Sequence, residues 1–182
     1  MVRSNSHYPA SVGEQQIIQR TLSIIVDNEP GVLARVISMF SGRGYNIDSL
    51  TVTETEHEQH ISRITIVTRG TPLVIEQIKN QLERVVPVHN VIDLSHDYDP
   101  LERELALIKV SGKGENRIES LRLAEIFKAQ VIDASTEHFI FQITGISPDI
   151  DRFIGLMMEL GLVEVARTGI AAIGRGKRNL QF

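Results

Sequence analysis

Apolar and polar residues alternate in the first patterned segment and then change to a helical spacing. Leu22, Ile24 and Val26 alternate with Thr21, Ser23 and Ile25 from Arg20 onward, which predicts a β-strand. A turn at 27–31 follows, and apolar residues three and four apart predict a helix over 32–40. Strands at 46–55 and 61–68, a helix opening at 71–72 and a strand at 88–94 complete a βαββαβ order.

The same order recurs after the polar stretch 95–100. A strand is predicted at 105–110, a helix at 118–127, strands at 131–134 and 139–144, a helix at 148–161 and a last strand at 162–173. The pattern therefore predicts the α+β class, with two tandem ferredoxin-like βαββαβ domains. The predicted boundaries are an N-terminal arm at 1–19, a first domain at 20–96, a linker at 97–103, a second domain at 104–174 and a basic tail at 175–182.

The open sheet face and edge strands of this fold suggest that the chain forms an oligomer. In each unit the helices cover one face of the sheet, which leaves the other face and the edge strands open. Pairing with a second copy covers such surfaces, so we expect a homodimer.

The amino-acid composition excludes several classes of function. Of 182 residues, 42% are hydrophobic and 23% charged, and the net charge of -4 gives no reason to bind nucleic acid or an anionic membrane. The absence of cysteine excludes disulfides, thiolate metal sites and cysteine nucleophiles, and it fits a reducing cytoplasm. The first nineteen residues lack the apolar core of a signal peptide, and no run approaches the ~20 apolar residues of a membrane span.

The turn between the first strand and first helix carries the most chemistry. In Asn28-Glu29-Pro30-Gly31-Val32, backbone N–H groups at the helix start can receive a carboxylate, and Gly31 allows close approach. Asn28 and Asn46 offer neutral amides that suit the charged ends of an amino acid. The alternative is structural, with Asn28 capping the helix and Asn46 occupying a turn.

Three other groups are weaker candidates. His57 and His60 flank a predicted hairpin tip, and a solvated tip explains them better than a metal site, so no metal ligand is predicted. Gly112-Lys113-Gly114 lacks the spacing of a phosphate-binding loop and is interpreted as a tight turn. Because it follows the first strand of the second unit, a degenerate second effector site there is a hypothesis. No nucleophile–base pair stands out, so no catalytic residue is predicted.

Two segments carry a resemblance to a known family. Residues 27–33, Asp-Asn-Glu-Pro-Gly-Val-Leu, and 43–50, Arg-Gly-Tyr-Asn-Ile-Asp-Ser-Leu, resemble the ACT domain of the small, regulatory subunits of acetolactate synthase. Further matches lie at 62–66, 102–105, 125–127 and 163–169, so the resemblance covers about 20–174. The nineteen residues before the first strand are a departure, since the family often begins almost directly at that strand.

The resemblance implies a function. The family's catalytic large subunit is a separate chain that uses thiamine diphosphate, magnesium and FAD, while the small subunit needs no cofactor and is not an enzyme alone. It activates the large subunit and confers feedback inhibition, usually by valine, in branched-chain amino acid biosynthesis. The ligand lies between the ACT domains of two small subunits. The effector-binding residues that the resemblance implies are Asn28, Glu29, Pro30, Gly31, Val32, Leu33, Asn46 and Ile47.

One alternative keeps the sensing role without the enzyme partner. A stand-alone, amino-acid-responsive ACT regulator of transcription should carry a helix-turn-helix or a basic recognition helix, and neither is visible in this acidic chain.

Overall fold

Two antiparallel sheets with helices between their strands make up the computed structural model, which describes residues 16–56, 58 and 60–177. The first half contains β1 (Ile18–Asp27), α1 (Val32–Gly42), β2 (Ser49–Glu56), β3 (Ile61–Gly70), α2 (Pro72–Leu82), β4 (Val88–Asp93) and the short α3 (Leu94–Asp97). The second half contains β5 (Pro100–Val110), α4 (Glu115–Ile126), β6 (Gln130–Ala134), β7 (Phe139–Gly145), α5 (Ser147–Glu159), β8 (Leu162–Arg167) and β9 (Ala171–Gly174). The prediction of two tandem ferredoxin-like units is confirmed.

The first core forms where α1 and α2 pack on one face of a four-stranded sheet ordered β2-β3-β1-β4. Leu22 and Ile24 of β1 are fully buried there against Phe40 of α1. The second core is built in the same way on the order β6-β7-β5-β8, with Phe141 and Phe153 in edge-to-face contact at 6.1 Å.

The opposite face of the first sheet is partly covered by the second half of the chain, not left open as expected. β9 pairs with the first residues of β5, and we call this pair (100–103 with 171–174) the ribbon. Ile170 and Ala172 pack with Val67 and Leu94 below the sheet, and Thr21 and Ser23 are buried. The physical reason for expecting a homodimer is therefore weaker for this face, and the homodimer remains a prediction.

The predicted linker at 97–103 is wrong over most of its length. β5 begins at Pro100, pairs with β9 in its first residues and then enters the second sheet between β7 and β8. The predicted last strand at 162–173 is likewise two strands, separated at Gly169, whose φ of +80° turns the chain from one sheet to the other.

The first strand also begins earlier than predicted. β1 begins at Ile18 and pairs with Gly70, two residues before the predicted start at Arg20. The rest of the predicted arm lies mainly outside the described residues.

Thr71 caps the N-terminus of α2, where the sequence predicts that a helix begins. Its hydroxyl accepts a hydrogen bond from the Val74 N–H, and Pro72 occupies the first turn. We expect Thr71→Ala to lower the free energy of unfolding by about 1 kcal/mol, measured by urea denaturation. Ser38→Ala, at an exposed position inside α1, is the matched control and should not destabilise the protein, because alanine favours helix interiors. Equal effects of the two substitutions would contradict a capping role.

Candidate functional site

Gly31, not Asn28, is the residue that begins α1. Gly31 adopts the left-handed conformation with φ +88° and ψ -7°, and no side chain caps the helix. Asn28 is exposed, and its backbone N–H donates to the carbonyl of His60 at 2.5 Å. The interpretation of Asn28 as the residue that caps α1 is therefore wrong.

The first turn of α1 presents unpaired backbone donors. The Val32 N–H donates to the Glu29 carbonyl at 3.3 Å, but the N–H groups of Leu33 and Ala34 have no acceptor on the part of the chain that the structure describes. No acidic side chain lies in this turn, and nothing lies within 4 Å of the position a Cβ on Gly31 would take. The helix dipole adds a positive potential, so the loop can receive an anion.

Asn46 lies in the segment that connects α1 to β2, and its side chain is exposed. Its Nδ2 donates to Oδ1 of Asp48 at 2.6 Å, and Asp48 is in turn paired with Arg69 at 2.8 Å. The backbone carbonyl of Asn46 accepts from the Thr68 hydroxyl at 2.6 Å. These contacts fix the amide and leave its Oδ1 without a donor among the described residues.

The structure does not bring Asn28 and Asn46 together within one chain. They flank the opposite ends of α1, whose 11 residues span ~16 Å at the usual rise per residue. Valine is much shorter than that, so one ligand cannot contact both residues of the same copy.

The apolar residues of the predicted site divide into two groups. Val32 is only 3% exposed and belongs to the core, so its side chain cannot form the expected wall of a ligand site. Leu33 and Ile47 also pack on the core but remain half-buried, whereas Glu29 and Pro30 are exposed.

An ion pair between the buried Glu104 and the partly exposed Arg167, which sequence reasoning missed, lies where the two sheets meet. Arg167 donates from Nε and Nη2 to the two carboxylate oxygens of Glu104 at 2.7 and 2.6 Å, and Nη1 reaches Asp151 at 2.6 Å. The Ser147 hydroxyl donates to Glu104 at 2.8 Å. The hydrogen bonds from Arg167 lower the pKa of Glu104, and those to Glu104 raise the pKa of Arg167.

This ion pair borders a cavity of about 450 Å³ between the sheets. The arginines there are already paired, Arg69 with Asp48 and Arg167 with Glu104 and Asp151. These groups therefore join the two halves of the chain and do not form an open site.

The weaker candidates gain no support. His57 lies outside the described residues, and His60 approaches Glu54 at 3.8 Å. Gly114 begins α4 and has nothing within 4 Å of its Cβ position, but the acidic Glu115 follows in the first turn, so this helix start suits an anion less well than that at Gly31. Among residues 16–56, 58 and 60–177, no three potential metal ligands cluster and no helix has the length and apolarity to cross a membrane.

Comparison with protein families gives matches to both halves of the chain. Residues 22–90 match the AHAS small subunit-like ACT domain, and residues 103–176 match the small subunit of acetolactate synthase. A probable acetolactate synthase small subunit from Archaeoglobus fulgidus is 41% identical over 88% of this chain and 99% of its own length.

The chain belongs to the acetolactate synthase small subunit family. The acetolactate synthase isozyme 3 small subunit of Escherichia coli is 41% identical, over 88% of this chain and 98% of its own length. The crystal structure of the small subunit from Thermotoga maritima superposes with a TM-score of 0.78 at 39% identity, covering 88% of this chain and 99% of that one. The resemblance noted from the sequence is thereby confirmed, and it supports a regulatory subunit rather than a catalytic one.

Proposed function

We propose that this chain is the regulatory subunit of an acetolactate synthase and binds a branched-chain amino acid, with valine as the first candidate. The observation that carries the proposal is the exposed start of α1, where Gly31 leaves backbone donors open to an anion. Membership of the small subunit family supplies the partner, a catalytic large subunit. On this proposal thiamine diphosphate, magnesium and FAD belong to that partner, and the complex works in the cytoplasm.

Two copies of the chain are needed to complete the effector site. The ligand carboxylate would take the side-chain amide of Asn28 and the N–H groups of Leu33 and Ala34 in one copy, where the helix dipole favours an anion. Its ammonium would donate to Oδ1 of Asn46 in the second copy, because Asn28 and Asn46 of one copy are too far apart. The aliphatic side chain would lie against the half-buried Leu33 and Ile47.

Two hydrogen bonds connect the start of β2, close to this site, with the second domain. Ser49 begins β2 three residues after Asn46, and its hydroxyl accepts from the Ile170 N–H at 2.9 Å. The Thr51 hydroxyl donates to the Ile170 carbonyl at 3.0 Å. A ligand that shifts the start of β2 would therefore move the ribbon, and its differential binding to two states would give feedback inhibition.

Calorimetric titration of the purified chain with valine tests the sensor. We expect saturable binding, weakened at least roughly tenfold by Asn28→Ala, because a hydrogen bond to a charged group is lost. Asn116→Ala, at an exposed position in α4, is the control and should bind valine normally. Leucine and isoleucine in the same titration rank the branched-chain ligands.

Equal binding by the wild type and Asn28→Ala would place the sensor elsewhere. If the chain alone does not bind valine, the titration is repeated with the catalytic large subunit, and no response there would contradict the sensing role. The transcriptional alternative predicts a gel shift with DNA at moderate salt, which the regulatory subunit should not give.

A further inference from the structure

A second cavity, of about 520 Å³, lies beside the ribbon on the face of the first sheet that the ribbon covers only in part. Its floor is formed by residues of β2 and β3 that share this face, and its wall by the ribbon. We call it the ledge, and it is lined by Thr51, Val52, Thr53, Thr55, Arg63, Thr65, Leu101, Arg103, Ala171, Ala172 and Ile173.

Arg63 is the central charge on the floor. Its Nη2 donates to the Ala172 carbonyl at 3.0 Å, whereas its Nε is buried and has no acceptor on the described residues. Within the same part of the chain no carboxylate pairs with Arg63, and burial lowers the pKa of its guanidinium. A buried donor without an acceptor is unfavourable, and the half-buried guanidinium has no counter-charge, so this position suits an anionic acceptor.

Arg103 adds a second cation at the wall. Its Nη1 donates to the backbone carbonyl of Glu102 at 2.7 Å, and it also has no carboxylate partner among the described residues. The Glu102 side chain points to the first sheet, where it accepts from the Thr21 hydroxyl at 2.6 Å. Among the described residues that line the ledge there are therefore two guanidinium groups and no acidic side chain.

The remaining lining is apolar or carries hydroxyl groups. Leu101 and Ile173 are large hydrophobic residues exposed by 37% and 56%. They offer a place for an aliphatic group, and the hydroxyls of Thr55 and Thr65 can bond to polar atoms beside it, whereas those of Thr51 and Thr53 already donate to backbone carbonyls. An ammonium group would lie close to two cations without a counter-charge, so an amino acid fits poorly.

We propose that the ledge binds a short aliphatic carboxylate without an ammonium group, such as a branched 2-oxo acid. The carboxylate pairs with Arg63 and Arg103, the aliphatic end lies on Leu101 and Ile173, and the hydroxyls of Thr55 and Thr65 donate to the 2-oxo oxygen. The ledge shares no residue with the effector loop at 28–33 or with Asn46, so the proposal does not depend on the amino-acid sensor.

Titration of the full-length chain with 3-methyl-2-oxobutanoate tests this site. That acid has the carbon skeleton of valine with a carbonyl oxygen in place of the ammonium group. We expect saturable binding that persists in Asn28→Ala, which removes the proposed valine contact. Inorganic phosphate, an anion without an aliphatic group, should bind at least roughly tenfold more weakly, because it leaves the apolar wall unused.

Two substitutions locate the binding. Arg103→Gln removes an exposed charge and should weaken the oxo acid roughly tenfold. Thr53→Glu places a carboxylate directly across the strand pair from Arg63, so it should supply the missing partner and abolish binding. Arg122→Gln, in α4, is the control that should bind normally, since Arg122 is exposed and remote in sequence from the ledge.

The outcomes separate the two proposed sites. Loss of oxo-acid binding in Thr53→Glu with valine binding retained supports the ledge. Oxo-acid binding that disappears in Asn28→Ala and survives in Thr53→Glu would overturn it, because the acid would then occupy the effector loop. No saturable binding, or equal binding of phosphate, would overturn it as well.

Discussion

Arg167→Ala should lower the free energy of unfolding by about 3–5 kcal/mol at pH 7, because it leaves the buried carboxylate of Glu104 without its cation. The Glu104 side chain is 5% exposed, and loss of the two hydrogen bonds from Arg167 leaves the Ser147 hydroxyl as its remaining side-chain donor among the described residues. Glu104 follows the ribbon residues of β5, and Arg167 is the last residue of β8, shortly before the ribbon strand β9. The substitution therefore weakens the junction between the two sheets as well as one ion pair.

The pH dependence should distinguish this ion pair from a simple packing defect. In the wild type the pKa of Glu104 is lowered by Arg167, so the pair's stabilisation is present above the ordinary carboxyl pKa and is lost as the pH falls through the lowered value. In Arg167→Ala, burial raises that pKa, and only the hydrogen bonds from the Ser147 hydroxyl and the Gly169 backbone still lower it, so the pKa of Glu104 should be higher than in the wild type. Acidification toward pH 4.5 should then stabilise the variant, and the difference from wild type should shrink.

Urea denaturation at pH 7 and pH 4.5 measures both effects. Arg122→Ala is the matched control, because its pair with Glu119 is exposed at 3.5 Å and should be worth less than about 1 kcal/mol. The double substitution Glu104→Met with Arg167→Leu should recover much of the loss, since an apolar pair carries no desolvation cost. A loss no larger than the control, or one independent of pH, would contradict the role given to Glu104.

The repeated βαββαβ order could be predicted from the sequence because each strand and helix has its own periodicity. The ribbon could not, since local patterns do not say which sheet a strand joins. Residues 100–103 follow a polar, proline-containing stretch that is typical of a linker, yet they pair with 171–174 across some seventy positions of sequence. Residues 168–170 separate β8 from β9, and no pattern predicts the positive φ of Gly169 among them.

The candidate effector site was only partly predictable for a related reason. The turn chemistry at Pro30 and Gly31 is local, and it indicated an open helix start. That Val32 points into the core follows from the tertiary packing of α1, and the separation of Asn28 from Asn46 follows from the length of that helix. Arg63 offered one signal, a cation inside a strand of otherwise apolar and hydroxyl residues.

Gly31→Asp should abolish feedback inhibition while the partner enzyme is still activated. The aspartate carboxylate would lie beside the free N–H groups of Leu33 and Ala34, where the effector carboxylate is proposed to bind. There is room for the side chain, because nothing lies within 4 Å of the Cβ position. A residue other than glycine at φ +88° costs about 1–2 kcal/mol, which aspartate tolerates better than most.

Gly31→Asn is the matched control for that experiment. Asparagine has almost the same shape and tolerates the same backbone conformation, but it carries no charge to compete with the effector. With the reconstituted large subunit, valine titrations of acetolactate formation should show no inhibition for Gly31→Asp and a partial response for Gly31→Asn. If both variants lose inhibition equally, backbone strain and not charge is responsible; if Gly31→Asp remains fully inhibited by valine, the effector does not bind at α1.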